Sequence, residues 1–468
     1  MIIHICSFIY TKFRFLAGMP NRILRAHPCY YFEMIVITFA GMQIDKLYQL
    51  FLQYPSVQTD TRKLKKDDIF FALKGPNFNG NLFAKQALEA GAAYVIADEA
   101  PGFADNRIIV TGDVLTTLQQ LAGYHRRLFS IPFIAITGSN GKTTTKELVH
   151  AVLSSTYKTY TTRGNLNNHI GIPLTILSIK SDAEIAIIEM GANHLKEIEG
   201  YCKYTEPTHG IITNCGKAHL EGFGSIEGVR KAKGELYDYL KLHDGAAFVM
   251  RDYDYLNAMS KGIPHIFTYG TSGATVTGNI HKTHPFLEVA LTNGKEERII
   301  RSALVGDYNL PNILAAVATG IYFNINEDTI KAAIEAYQPS NSRSQLIKRG
   351  SNTIILDAYN ANPSSMKAAI ENFAAMPNNN KILVLGAMME LGNESAGEHE
   401  ALIELLNHYL WKEVILVGGD FAHTPHPFRF FNTAGEAKEW LGQHPAADSV
   451  YLVKGSRSTQ MEIIVDTL

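Results

Sequence analysis

Cysteine is scarce in this chain. Four occur among 468 residues, Cys6, Cys29, Cys202 and Cys215, and none stands in a C-x-x-C pair. That spacing excludes a zinc ribbon or a dithiol motif and fits buried or idle thiols in a reducing cytoplasm. Charge of one sign is lacking too. The formal net charge is −2, so no general attraction to nucleic acid or anionic membranes is expected. The apolar runs at the front, Ile2–Tyr10 and Met34–Ala40, are too short to span a bilayer, which speaks against stable membrane insertion. Repeats and low-complexity segments are missing as well. What remains, at 46% hydrophobic and 19% charged residues, is an ordinary globular composition with room for two to four cores.

Residues 1–41 stand apart, with Lys12, Arg14, Arg22 and Arg25 against one acid, Glu33. A secretory signal puts its basic residues before the apolar run, and here they follow it. The segment is expected to be a non-native or disordered extension upstream of the true start, with a weak membrane anchor as the alternative. Three blocks follow. In 42–127, DIFFALKG reads as a strand and FAKQALEAGAAYVIAD as a helix and a strand. In 128–338, buried runs such as AEIAIIEMG and HGIITNCG alternate with helical stretches, the signature of a mostly parallel sheet flanked by helices. After a polar linker, QPSNSRSQ, block 339–468 alternates again through NTIILDAY, KILVLGAM, EVILVGG and SVYLVKGS. The expected fold class is α/β in three domains: a small N-terminal unit, a central mostly parallel sheet with a phosphate loop, and a Rossmann-like C-terminal unit.

The stretch FIAITGSNGKTTTKE carries the first chemistry. Gly138, Ser139, Asn140 and Gly141 form a small-residue turn whose backbone N–H groups can point at phosphate oxygens. Lys142 would reach the outer phosphates, and the Thr143 hydroxyl would ligate Mg²⁺. Thr144 follows in the first turn of a helix whose positive end favours anions. The general motif wants glycine where Ile136 stands, so a plain strand-to-helix turn stays open. Glu189 closes a strand and could hold Mg²⁺ or face solvent. His219 could be a ligand, although a capping role is the simpler reading. Lys233 reads by default as a surface lysine.

In order along the chain, TGSNGKTTTKE, GNLNNHIGIPLT, IIEMGANH, AHLEGFGS with RKAKGE, GDYNLPNILAA, LDAYNANPSSM and LVKGSR resemble the Mur ligases, the cytoplasmic ATP-dependent amide ligases of cell-wall precursor assembly. That family's phosphate loop lacks the early glycine, so Ile136 is no objection. DAYNANPSSM and GAMMELGNESAGEH resemble the member that adds D-alanyl-D-alanine to UDP-N-acetylmuramoyl-tripeptide. The D-Y-A-H-T-P and D-N-P-R segments of the preceding ligase are not found.

The resemblance implies an acyl phosphate, made from ATP and a peptide carboxylate and then attacked by the dipeptide amine, with two Mg²⁺ ions assisting. It implies metal roles for Thr143, Glu189, His219 and Lys233, the last as a possible carbamate, and catalytic roles for Lys142, His219, Lys233 and Arg343. Asn309 and Asn312 match positions that contact adenine, Asp357 one that reaches the ribose, and Arg343 one that crosses to the ATP. Thr61, Arg62 and Gly80 would hold the uridine diphosphate, Asn167 and Asn168 the muramoyl part, and Tyr359, Asn360 and Asn362 the dipeptide and acyl side. Two departures stand out: Ala387 replaces a usual aspartate, and Ser342 replaces the glycine before Arg343. A monomer is expected. The alternatives are a relative that adds a single amino acid, and a non-catalytic nucleotide switch.

Overall fold

The computed structural model describes residues 43–292, 298–340 and 342–468. The expectation for residues 1–41 lies outside them. The chain forms two compact units, the first ending at Tyr124 and the second running from His125 to Leu468.

In the first unit, helix Ile44–Gln53 buries Leu47, Tyr48 and Phe51 on one face. Four parallel strands follow in the order Val57–Gln58, Ile69–Phe71, Tyr94–Ala97 and Ile108–Val110. Helix Ala84–Glu89 packs Ala84, Ala87 and Leu88 into a core with Phe70 and Val95. DIFFALKG therefore splits: its buried half is the strand, and its polar end turns into a short hairpin, Lys74–Gly75 with Phe78–Asn79. The hairpin closes on Gly80, where a Cβ would meet the backbone of Ala72 and Leu73.

The second unit holds two sheets. The larger has nine strands in the order Arg298–Arg301, Glu288–Leu291, Val276–Lys282, His265–Gly270, Ala246–Met250, His209–Ile212, Phe133–Thr137, Ile185–Glu189 and Thr159–Thr161. Pairing is parallel from Val276–Lys282 onward, and the first three strands form an antiparallel edge. The central strands are buried along their whole length, which is why they read as continuous apolar runs. Helix Lys142–Ser154 buries Leu148, Val149, Val152 and Leu153 and packs against helix Leu310–Tyr322.

The smaller sheet has six strands in the order Gln345–Arg349, Asn352–Asp357, Val450–Lys454, Lys381–Gly386, Glu413–Val417 and Arg429–Phe431. Only the first pair is antiparallel. Ile354, Val384, Ile415 and Val453 make its core. The last long strand inserts beside Asn352–Asp357 and brings Lys454 level with Asp357.

Candidate active site

Strand Phe133–Thr137 lies between His209–Ile212 and Ile185–Glu189, so the connections diverge at its carboxyl end. Parallel α/β sheets open a crevice at such a point. The loop occupying it needs its glycines: Gly138 has φ 143° and Gly141 φ 78°. A Cβ on Gly141 would sit 2.6 Å from Asn312 Oδ1. The second and third loop residues are pinned from the neighbouring strand end. Ser139 N donates to Asn214 O at 2.9 Å and Asn140 N to Asn214 Oδ1 at 3.0 Å. Lys142 Nζ donates to Gly138 O at 2.6 Å and Ser139 O at 3.1 Å. Burial, opposed by Glu189 and reinforced by Arg343, lowers its pKa to about 8.

Glu189 does not face solvent. It is 1% exposed, and its Oε1 accepts from Thr143 Oγ1 at 3.2 Å and Asn167 Nδ2 at 2.7 Å. Its Oε2 is buried without a partner. A buried carboxylate oxygen of this kind is costly unless a cation meets it, and hydroxyl plus carboxylate is a hard-oxygen donor set suited to Mg²⁺. Thr143 and Glu189 therefore fit one divalent ion.

His219 caps nothing. Its side chain makes no cap hydrogen bond to helix Leu220–Phe223; instead Nδ1 stands 2.5 Å from Glu390 Oε2, which holds the Glu390 carboxyl below its usual range. Lys233 is not on the surface either. At 1% exposure its Nζ donates to Ala192 O at 3.1 Å and lies 4.9 Å from the Phe223 ring centroid. Burial, with Lys142 adding to it, lowers its pKa to about 7. An ammonium repels a divalent ion, so Lys233 in its unmodified form does not fit a metal ligand.

The smaller sheet supplies the opposite wall. Asp357 Oδ2 pairs with Lys454 Nζ at 2.6 Å, and Oδ1 accepts from Ser344 N at 3.2 Å. Asn362 caps helix Pro363–Ala375 through a capping box and donates from Nδ2 to Asn140 Oδ1 at 2.7 Å. The YNANP turn thus touches the phosphate loop directly. Asn309 and Asn312 are buried; Asn312 Nδ2 donates to Asn309 Oδ1 at 2.9 Å, and Asn312 Oδ1 accepts from Thr145 Oγ1 at 2.9 Å.

These walls enclose a cleft of about 680 Å³. It gathers the phosphate loop from Ser139 to Thr144 with Asn167, Asn168, Glu189, His219, Asn309, Asn312, Arg343, Asp357, Tyr359, Asn360 and Asn362. Gly138 and Lys233 lie behind the lining. Thr61, Arg62 and Gly80 belong to the first unit, where Arg62 pairs with Asp60 at 2.9 Å. Participants without a sequence assignment include Asn214, Glu390 and Lys454. Each stood within a quoted motif, but its partner is remote in sequence.

A crevice of this build, with phosphate-loop amides at a sheet switch point and a buried carboxylate beside them, defines a nucleotide-binding α/β enzyme. Three family models match the chain: the Mur ligase family catalytic domain over residues 53–125, the Mur ligase middle domain over 136–320, and the Mur ligase glutamate ligase domain over 342–457. The chain belongs to the Mur ligase family. A UDP-N-acetylmuramoyl-tripeptide–D-alanyl-D-alanine ligase from Bacillus subtilis is 39% identical over 373 residues, 77% of this chain and 78% of its own. The protein of that name from Escherichia coli is 35% identical, covering 88% and 93%. Among solved structures, MurF from Acinetobacter baumannii superposes with a TM-score of 0.81 at 32% identity, covering 88% of this chain and 92% of that one. MurF from Thermotoga maritima in complex with ADP gives 0.80 at 25% identity, covering 89% and 97%. The α/β class with three domains, expected from the alternation of strands and helices, is the architecture of these neighbours.

Proposed function

We infer that this protein is an ATP-dependent ligase that adds D-alanyl-D-alanine to UDP-N-acetylmuramoyl-tripeptide. The observation that carries the reading is the Asn140–Asn362 contact at 2.7 Å. It joins the loop suited to ATP phosphates to the YNANP turn assigned to the acceptor, so both substrates would meet in one cleft. The γ-phosphoryl passes to the peptide carboxylate, whose oxygen then leaves as phosphate when the dipeptide amine attacks the acyl carbon. Lys142 and the loop amides neutralise charge on the transferred group. Asp357, Asn309 and Asn312 hold the nucleoside, and Arg343 reaches the phosphates. Mg²⁺, held by Thr143 and Glu189, would supply charge screening between the two anionic substrates; a second ion would use His219 and a carbamylated Lys233.

In this reading Thr61, Arg62 and Gly80 bind the uridine diphosphate within a domain spanning 42–127, and Asn167 and Asn168 contact the muramoyl part. The ATPase domain spans 128–338 and the C-terminal domain 339–468. In the same reading the ligase works in the cytoplasm as a monomer; among the described residues no helix is long and apolar enough to cross a membrane.

Phosphate release from ATP, measured with UDP-tripeptide and D-alanyl-D-alanine each present or withheld, tests this. Release only with both, with a UDP-pentapeptide seen by mass, is the expected result. Release with UDP-dipeptide and one amino acid would move the protein one step back along the pathway. No release in any combination would leave a nucleotide switch.

A further inference from the structure

Tyr359 lines the cleft with two guanidiniums against its ring: Arg343 Cζ lies 3.6 Å and Arg457 Cζ 5.3 Å from the centroid. An arginine held on an aromatic face keeps its N–H edge free for an anion. The lysines around this cleft are engaged. Lys454 Nζ pairs with Asp357 at 2.6 Å, Lys217 Nζ pairs with Glu398 at 2.5 Å, and Lys142 Nζ is bonded to loop carbonyls. Arg343 is assigned above to the nucleotide. The Arg457 guanidinium has no hydrogen-bond or ion-pair partner among the described residues, and the residue is exposed. Its segment is fastened to the YNANP turn: Lys454 Nζ reaches Asn360 O at 3.4 Å, and Ser456 Oγ reaches Ala361 O at 3.4 Å. Arg457 therefore rides on the acceptor wall as a cation without an anion.

We propose that Arg457 anchors the free C-terminal carboxylate of the incoming dipeptide, a subsite that rests on the ligase reading above. The acceptor carries an amine that must reach the acyl carbon and a carboxylate that must stay clear of the transferred phosphoryl. A guanidinium takes a carboxylate through two parallel N–H···O bonds, fixing its direction as well as its place. Tyr359 beneath the guanidinium limits the side chain's freedom, so less entropy is lost on binding. The rival cation is Arg230, 4.9 Å from the Tyr255 ring and with its Nε unpartnered. It stands on the helix that carries Lys233, on the wall of the larger sheet.

The test compares D-alanyl-D-alanine with D-alanyl-D-alaninamide, which keeps the amine and loses the charge. Wild type, Arg457→Ala, Arg457→Gln, Arg457→Lys and Arg230→Ala are each assayed for amide-bond formation. The expected result is a wild-type preference for the acid that collapses by about tenfold or more in Arg457→Ala, while KM for ATP holds and Arg457→Lys recovers part. Arg457→Gln keeps the stem over Tyr359 and serves if the alanine variant folds poorly. An unchanged acid-to-amide ratio in both neutral variants overturns the anchor, and so does a collapse produced by Arg230→Ala instead. No amide bond with either acceptor in wild type overturns the ligase reading and the anchor with it, an outcome distinct from ligation without discrimination.

Discussion

Thr143 Oγ1 stands 3.2 Å from Glu189 Oε1, tying the first turn of the phosphate-loop helix to the last residue of the adjacent strand. The bond occupies one carboxylate oxygen and leaves Oε2 buried and unpartnered. Such an arrangement is unfavourable for the protein alone and favourable once a divalent ion is present.

Glu189→Gln is the first consequence. The amide keeps the shape and can still accept at one atom, but it brings no charge to the ion. Turnover should fall by about a hundredfold or more, and half-saturation by Mg²⁺ should move upward. The melting temperature without metal should not drop, because the orphaned charge is gone. A Mg²⁺ titration of phosphate release decides it: an unshifted curve with normal turnover would remove Glu189 from the site.

Lys142→Ala follows from the loop. The wild-type side chain folds back on Gly138 O and Ser139 O, contacts that add little to a loop already pinned by Asn214. Folding should therefore survive, as circular dichroism would report. The kcat should drop by about 10²–10³, the usual effect of removing one donor to developing charge. Near-normal activity would refute the phosphate-loop assignment.

The sequence showed some of this plainly and hid the rest for a physical reason. A phosphate loop is local: strand, glycines, lysine and threonine lie within fifteen residues, and their order alone requires the turn. The buried strands were legible because both of their faces are covered. Lys233 read as solvent-facing in isolation, and Glu189 left that reading open, because their burial comes from elements far along the chain. Lys233 is enclosed by Phe223 and by the Ala192 carbonyl. Glu390 and His219 meet across two sheets, and Lys454 meets Asp357 only because the last strand inserts beside an earlier one. The strands Val276–Lys282, Glu288–Leu291 and Arg298–Arg301 escaped notice because the edge they form is partly polar and exposed.

Lys233→Ala tests the carbamate. Alanine leaves a space behind Ala192 and Phe223 where a short carboxylate can enter and supply the missing oxygens. Activity should be nearly lost in the variant and partly restored by millimolar short-chain carboxylic acids, while wild type gains nothing. Loss without rescue by any acid, or by bicarbonate, would point to a structural lysine.

His209 gives a pH dependence away from the site. Its ring lies beside Tyr322, Phe323 and Phe248, with Nδ1 2.8 Å from Thr208 Oγ1. The nearest titratable neighbours are the Tyr322 hydroxyl, 3.3 Å from Nε2, and His265. Burial, with His265 adding to it, lowers its pKa to about 4, so the folded protein keeps the ring neutral where the unfolded chain protonates it near the ordinary value of about 6.5. Stability from this residue is fully present above that ordinary value. It is lost as pH falls from there toward 4, because only the unfolded state takes up the proton. The loss by pH 5 should be at most about 2 kcal/mol. Urea unfolding of wild type and His209→Phe at pH 7 and pH 5 isolates the term. Phenylalanine keeps the ring packing and cannot protonate, so the variant should lose less stability than wild type across that interval. Equal losses in the two proteins would mean that His209 is as accessible to protons folded as unfolded.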